Sequence, residues 1–559
     1  MEPRNNFEAV LGKFRKATRK DYDSFVSKVA NPSISDAELV KCLKSLKDCA
    51  TLLDNEHEVL IGVLLKLDWM RRSSAVVQMY QSMMLNIVSV HTVYLRACLR
   101  ALIKHFMPVL RPVESKETPE GFVTDEMMAA HNQGFTHVHT LIKTIMKIVP
   151  MSSNLLMPLL IDNYPFFTKD VYIQECFMKN LLQITYYKPD LRQSIMELLI
   201  EKVIKLDTRA PRSAILEARL QDESQESGIF NMDEETSPVI EYTDKLDVLM
   251  VHLFEYIQSV CHKDGELEWE GTKRFYREML YIFEKVILPT YACCHIQFIM
   301  FYLVSFRMQL CDGFLDYLWK LVQNPNVHSV YRQSAVAYMG SLLARAKFVS
   351  IRTVMRTVEL MMKWAHTYTH TCQDCVMADV VHHGPFYSVC QSVFYVFAFR
   401  QKEIFETKAG LKWAKSLQFQ HLVQSRLNPL KVCLPLVVKT FASITRQHQL
   451  AFCDHIIQQN NRSFLPVDSS SSQTSFETYF PFDPYLLKRS MKYVEPHYRK
   501  YDQSVAVDDD SSGEEDEDEM FTDDIPSSEA VDIVTMTGSL VDKTDLMSYG
   551  TSPGFKHIL

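Results

Sequence analysis

Apolar side chains recur every three to four positions along most of this chain, the spacing that lays a stripe down one face of an α-helix. Residues 189–207 show it plainly: Leu191, Ile195, Leu198, Leu199 and Leu206 share a face, with Arg192, Glu197, Glu201 and Lys205 opposite. Pro189 and Asp190 supply a start, with Asp190 the expected cap. Similar stripes cover 36–47, 53–67, 74–107, 125–148, 167–187, 243–260, 272–287, 291–307, 328–347, 351–368 and 429–459. Breakers separate them at Asn31-Pro32, Pro150, Asp162-Asn163-Tyr164-Pro165, Asn324-Pro325 and Asn428-Pro429. Sustained alternation with period two is absent, so the pattern predicts an all-α fold.

The stripes come in pairs at a spacing of roughly 40 residues, the period of HEAT-type and armadillo-type arrays. Residues 31–500 therefore read as an α-solenoid of antiparallel helix pairs, with a compact bundle array as the alternative. Ser334, Ala335, Ala337, Gly340, Ser341 and Ala344 are small enough to let neighbouring helices approach closely. Polar insertions at 110–124 and 208–242 and a Ser-rich stretch at 468–475 read as mobile surface loops. A basic segment, 1–30, precedes the array, and an acidic tail expected to be disordered, 501–559, follows it.

Charge sharpens that division. The formal net charge is −8, but residues 501–559 hold sixteen acids and two bases, which leaves the body near +6. A hydrophobic fraction of 47% allows a large core, while only 15 glycines argue against Gly-rich phosphate loops. Thirteen cysteines without disulfide-like spacing suit a reducing compartment. The uncharged runs 286–306 and 380–399 carry Pro, His, Gln and Gly, so they read as buried helices rather than membrane spans, which need ~20 predominantly apolar residues.

Chemistry is sparse. His366, His370, Cys372 and Cys375, followed by His382 and His383, offer one C-x-x-C without a second ligand pair, so no metal or cofactor is expected. Nucleotide-loop, nucleophile-elbow and zincin motifs are absent, which argues against an enzyme. Two basic clusters, Lys13 to Lys20 and Lys488, Arg489, Lys492, Arg499 and Lys500, could meet phosphates and so contact DNA directly, but a body near +6 is modest for a dedicated nucleic-acid binder.

An ordered set of segments is more specific. It comprises Phe230-Asn231-Met232-Asp233-Glu234-Glu235, Leu342 to Phe348, His383-Gly384-Pro385-Phe386-Tyr387-Ser388 and Cys390 to Tyr395. Leu427-Asn428-Pro429-Leu430-Lys431, Asn460-Asn461-Arg462, Phe480-Pro481-Phe482-Asp483-Pro484 and Leu487-Lys488-Arg489-Ser490 complete it. In this order, over roughly residues 30–500, the chain resembles the RNA polymerase I-specific transcription initiation factors, called TIF-IA in animals. The resemblance implies a non-enzymatic HEAT-repeat protein of the nucleus and nucleolus. Its implied partners are RNA polymerase I, the promoter-bound selectivity (core) factor at ribosomal RNA genes, and protein kinases. A generic HEAT scaffold or nuclear transport adaptor is the alternative.

The resemblance also directs attention to particular residues. A serine-bearing patch meets the polymerase in the family, which makes Ser152 and Ser153 contact candidates, although the same serines could simply start a helix. Lys488 and Arg489 are further contact candidates. Thr118, Ser237 and Ser552 precede proline, and Ser511 and Ser512 each have Glu three residues on, so these serines and threonine, with Ser152, are the phosphorylation candidates. Ser152 lacks the following proline found in vertebrate members. Phe480 to Pro484 could be a docking peptide or a strap pinning a last helix; Asp483-Pro484 before Tyr485 favours a helix start.

Overall fold

Thr124 illustrates how the helices begin. Its hydroxyl accepts from the Met127 amide at 3.3 Å, Asp125 and Glu126 fill the first turn, and a helix follows over Asp125–Ile148. The side chain satisfies an otherwise orphaned donor and the carboxylates suit the positive helix end. The computed structural model describes residues 20–53, 57–110, 123–217, 238–290, 293–372, 380–462 and 480–501. Among them the fold is all-α save one short hairpin, His262–Lys263 with Glu266–Leu267, closed by Asp264 and Gly265 at positive φ. The Asp-Gly pair is the usual signal for such a turn.

The chain divides into two compact units, Met1–Val203 and Ile204–Leu559. The first contains α1 (Lys20–Ala30), α2 (Asp36–Asp48), α3 (Glu58–Lys66), α4 (Ser74–Val90), α5 (Leu95–Lys104), α6 (Asp125–Ile148), α7 (Ser152–Asp162) and α8 (Val171–Tyr187). In it α2, α4, α6 and α8 stack one on the next, and α1, α3, α5 and α7 do likewise. That is the two-layered packing of a helical-repeat array. Helix α9 (Arg192–Asp207) follows a 3₁₀ turn, Pro189–Leu191, where Asp190 pairs with Lys188 at 3.0 Å.

The second unit comprises α10 (Pro238–Cys261), α11 (Trp269–Ile282) with a π-turn at Phe283–Ile287, α12 (Phe298–Ser305), α13 (Met308–Gln323), α14 (Ser329–Arg345), α15 (Ile351–Thr371) and α16 (Val380–Phe405). It continues with α17 (Lys408–Ser416), α18 (Phe419–Val423), α19 (Pro429–Val432), α20 (Pro435–Gln447), α21 (Asp454–Arg462) and α22 (Met491–Val494). Helix α16 is the axis of this unit: α14, α15, α17, α19 and α20 all pack on it, and its side chains are buried from His383 to Gln401. Phe386, Phe394 and Phe397 are fully buried there, each contributing about 1.5–3 kcal/mol of apolar burial. The small-residue face of α14 is why α16 lies so close. A methyl group on Gly340 would sit 2.6 Å from the Ser392 Cβ.

Several sequence expectations need correction. The 74–107 stripe is two helices, bent by 114° at residue 91. The 429–459 stripe is three helices, and among the described residues of 291–307 helix is found only at Phe298–Ser305. The insertion 208–242 is shorter than its composition suggests. Residues 212–217 are helical, and Ala210, Ile215 and Leu486 form a small apolar core with Leu216, Val239 and Tyr242. Within the basic segment 1–30, α1 buries Tyr22 and Val29 and is part of the fold. No single helix among the described residues is long and apolar enough to cross a membrane.

Candidate partner-binding surfaces

Hydrogen bonds between helices of the first unit fix their direction. At the starts of α2 and α4, Arg72 bonds Asp36 at 3.0 Å and the Ile34 carbonyl at 2.7 Å. At their ends, Asn86 donates to the Lys47 carbonyl at 3.4 Å and His91 Nε2 lies 2.9 Å from the Ala50 carbonyl. Toward α6 and α8, Arg71 meets His131, which meets Tyr172, at 3.1 and 3.0 Å. Further along, His139 bridges Asn180 at 2.9 Å and Tyr187 at 3.0 Å. Burial holds His139 neutral, with its pKa lowered to about 4. Starts match starts and ends match ends, so α2, α4, α6 and α8 run parallel, and the turns that follow them lie along one edge.

That edge is unusually apolar. Leu52, Val93 and Met151 occupy the turns themselves, and Val90, Ile148 and Tyr186 the helix ends beside them, all exposed. Met151 is 75% exposed and Val93 61%, in turns where polar residues are the rule. Aligned apolar groups facing water mark contact surfaces more reliably than single ones do. Sequence reasoning missed this row, although Val149-Pro150-Met151 and Val90-His91-Thr92-Val93 put apolar residues at the breaks.

Ser152 and Ser153 sit beside Met151, in different environments. Ser152 opens α7 with its side chain fully buried and its hydroxyl without a hydrogen-bond partner. It does not cap the helix, because Met151 occupies the cap position with no side-chain bond. As a surface contact and a phosphorylation site Ser152 is therefore corrected: a phosphate fits only if the first turn of α7 opens. Ser153 is half-buried, and its hydroxyl points to the Met146 sulfur at 3.9 Å.

Lys488 and Arg489 are exposed on the second unit. The Asp247 carboxylate accepts the Arg489 and Ser490 amides at 2.7 and 2.9 Å, which turns the two cations outward. The segment before them is not a helix start. Residues 480–487 form a buried strap without helix, and Asp483 pairs with Arg345 of α14 and accepts from the Tyr395 hydroxyl at 2.9 Å. Arg212 and Gln297 hold the Pro481 carbonyl, and the Ser341 hydroxyl accepts the Phe482 amide at 3.0 Å. Phe480 stacks on Tyr395 with ring centroids 4.0 Å apart.

Among the described residues, no three His, Cys, Asp or Glu side chains converge as metal ligands. His366 Nε2 bonds the Leu417 carbonyl, and His383 bonds the Tyr368 hydroxyl, both at 2.9 Å. Cys375, Thr118, Ser237, Ser511, Ser512, Ser552, the Ser-rich stretch 468–475 and the tail beyond Tyr501 lie outside the described residues.

Comparison with known proteins gives this architecture a context. The profile of a family described as RNA polymerase I specific transcription initiation factor RRN3 matches residues 4–506, reaching further toward the N-terminus than the motifs alone suggest. A mouse protein, RNA polymerase I-specific transcription initiation factor RRN3, is 38% identical over 532 residues, covering 89% of this chain and 80% of its own length. The fission yeast protein of that name is 26% identical, covering 87% of this chain and 84% of its own. A crystal structure titled RNA Polymerase I Transcription Initiation Factor Rrn3 superposes with a TM-score of 0.71 at 23% identity, covering 89% of this chain and 98% of the other.

Proposed function

The chain belongs to the family of RNA polymerase I-specific transcription initiation factors, and on that premise we propose that it binds RNA polymerase I through the turn edge of its N-terminal unit. It renders the polymerase competent to initiate and bridges it to the promoter-bound core factor at ribosomal RNA genes. Its work is nuclear, in the nucleolus. The observation that carries the site assignment is the exposed row Leu52, Val93 and Met151 in the turns that follow parallel helices. Small clusters of desolvated apolar anchors dominate protein interfaces, and a rigid two-layered array presents them without an ordering cost.

Control by phosphorylation follows from the same geometry. Ser153 borders Met151, so a phosphate there would set about −1.5 to −2 charges beside an apolar contact and weaken it. No catalytic step is invoked, because recruitment needs only complementary surfaces. Lys488 and Arg489 serve the core factor side in this reading.

The experiment is affinity purification of the tagged chain from nuclear extract, with subunit identification. Recovery of polymerase I supports the assignment. Recovery of polymerase II alone, or of neither, overturns it.

A further inference from the structure

The positive charge of the folded body is concentrated in one stretch of the second unit. Between Lys347 and Arg446 twelve lysines and arginines are exposed, against two exposed carboxylates among the described residues, Glu359 and Glu406. Helix α17 orders part of that charge. Lys408, Lys412 and Lys415 recur at helical spacing and are exposed, while Gly410 and Ala414 on the other side are buried. Helix α15 adds Lys363, one helical turn from His366, whose ring bonds the Leu417 carbonyl just beyond α17.

The end of the described chain lies beside this face. Tyr501 rests on Phe399 with ring centroids 5.0 Å apart, and Arg499 pairs with Glu403 at 2.6 Å. Phe399 precedes the end of α16 by six residues, about 9 Å of helix, and Lys408 opens α17 shortly after. Seven residues beyond Tyr501 begins Asp508–Glu519, nine acids in twelve positions. Seven residues reach at most about 25 Å.

We propose that the acidic segment Asp508–Glu519 docks on the cationic face of the C-terminal unit, with Lys408, Lys412 and Lys415 as its principal contacts. Tethering so close to the site supplies an effective concentration on the order of millimolar, so individually weak ion pairs suffice. The segment then shields the face from other anionic partners. Phosphates on Ser511 and Ser512, inside the segment, each add about −1.5 to −2 charges and strengthen the contact. Salt weakens it, since the Debye length falls from about 8 Å at physiological ionic strength to about 3 Å at 1 M. The inference does not depend on the polymerase reading.

The test is zero-length carbodiimide cross-linking of the full chain, mapped by mass spectrometry, on a mixture of isotopically light and heavy protein. The expected products join carboxylates of 508–519 to Lys408, Lys412 and Lys415 of the same molecule, and fall several-fold in 0.5 M salt. The variant Lys408→Glu/Lys412→Glu/Lys415→Glu should lose them with its thermal midpoint unchanged. Should that variant misfold, a chain with the nine acids changed to Asn and Gln should acetylate several-fold faster at those three lysines, and unchanged at Lys143 and Lys179 of the other unit. Products spread over all exposed lysines, products joining light to heavy chains, absence of products, or unaltered acetylation would overturn the proposal.

Discussion

Arg345 and Asp483 lie 138 positions apart and form an ion pair whose side chains are 1% and 3% exposed. The guanidinium also lies over the Phe399 ring at 4.2 Å and reaches the Tyr395 hydroxyl at 3.2 Å. The end of α14 is also sewn by backbone bonds to the segment that follows α22, from Lys347 to His497 at 2.8 Å and from Arg499 to Arg345 at 2.6 Å. Arg345 and Lys347 thus close the second unit internally. A buried pair is costly to break because the surviving charge has no water to turn to.

Asp483→Leu should accordingly cost about 3–5 kcal/mol. The double change Arg345→Met/Asp483→Leu should recover most of that loss, because no unpaired charge remains. Urea unfolding of the two variants measures the difference; equal destabilisation would show that the strap is held by its aromatic contacts alone.

Gly340→Ala should destabilise by about 1–3 kcal/mol, since overpacking forces adjacent helices apart. The added carbon would meet the Ser392 Cβ at 2.6 Å. Adding Ser392→Gly should restore part of the loss, and thermal melts of the single and double variants check it.

His139 predicts a pH dependence. Its pKa falls from 6.5 to about 4 on folding, chiefly through burial. Between those values the unfolded chain binds the extra proton, so stability drops as pH falls from about 6.5 to about 4 and is fully present above 6.5. The shift corresponds to about 3 kcal/mol. In His139→Gln the stability–pH slope over that window should flatten, measured by urea midpoints.

Ser152 and Ser153 should respond oppositely to an acidic replacement. Ser152→Asp buries a carboxylate and should lower stability by several kcal/mol, while Ser152→Ala, which removes an unbonded hydroxyl, should be neutral or slightly stabilising. Ser153→Asp should leave unfolding nearly unaltered and weaken polymerase binding. Paired melts and binding measurements distinguish the two serines.

Local signals made much of this fold readable. Helix α6 has the bounds that its stripe implies, and the small-residue face of α14 did mark a close helix contact. The failures come from distant partners. Nothing near His91 breaks the 74–107 stripe except its tie to the Ala50 carbonyl, 41 residues away. Asp483-Pro484 looks like a helix start until Arg345 is placed beside it. Ser152 reads equally as a surface contact or as a helix start, because its burial depends on how α7 packs, which its own sequence does not reveal. The turn edge needs both the parallel order of four helices and the exposure of residues in separate turns. The family resemblance supplied the function, which no residue chemistry on this chain announces.

The most direct test of the turn edge is the affinity of purified RNA polymerase I for the intact chain and for Val93→Asp/Met151→Asp. Both residues are exposed, so the unfolding free energy should hold within about 0.5 kcal/mol. The predicted result is binding weakened at least tenfold, a loss of about 1.4 kcal/mol or more. Wild-type affinity in the folded double variant would contradict the assignment of this edge to the polymerase.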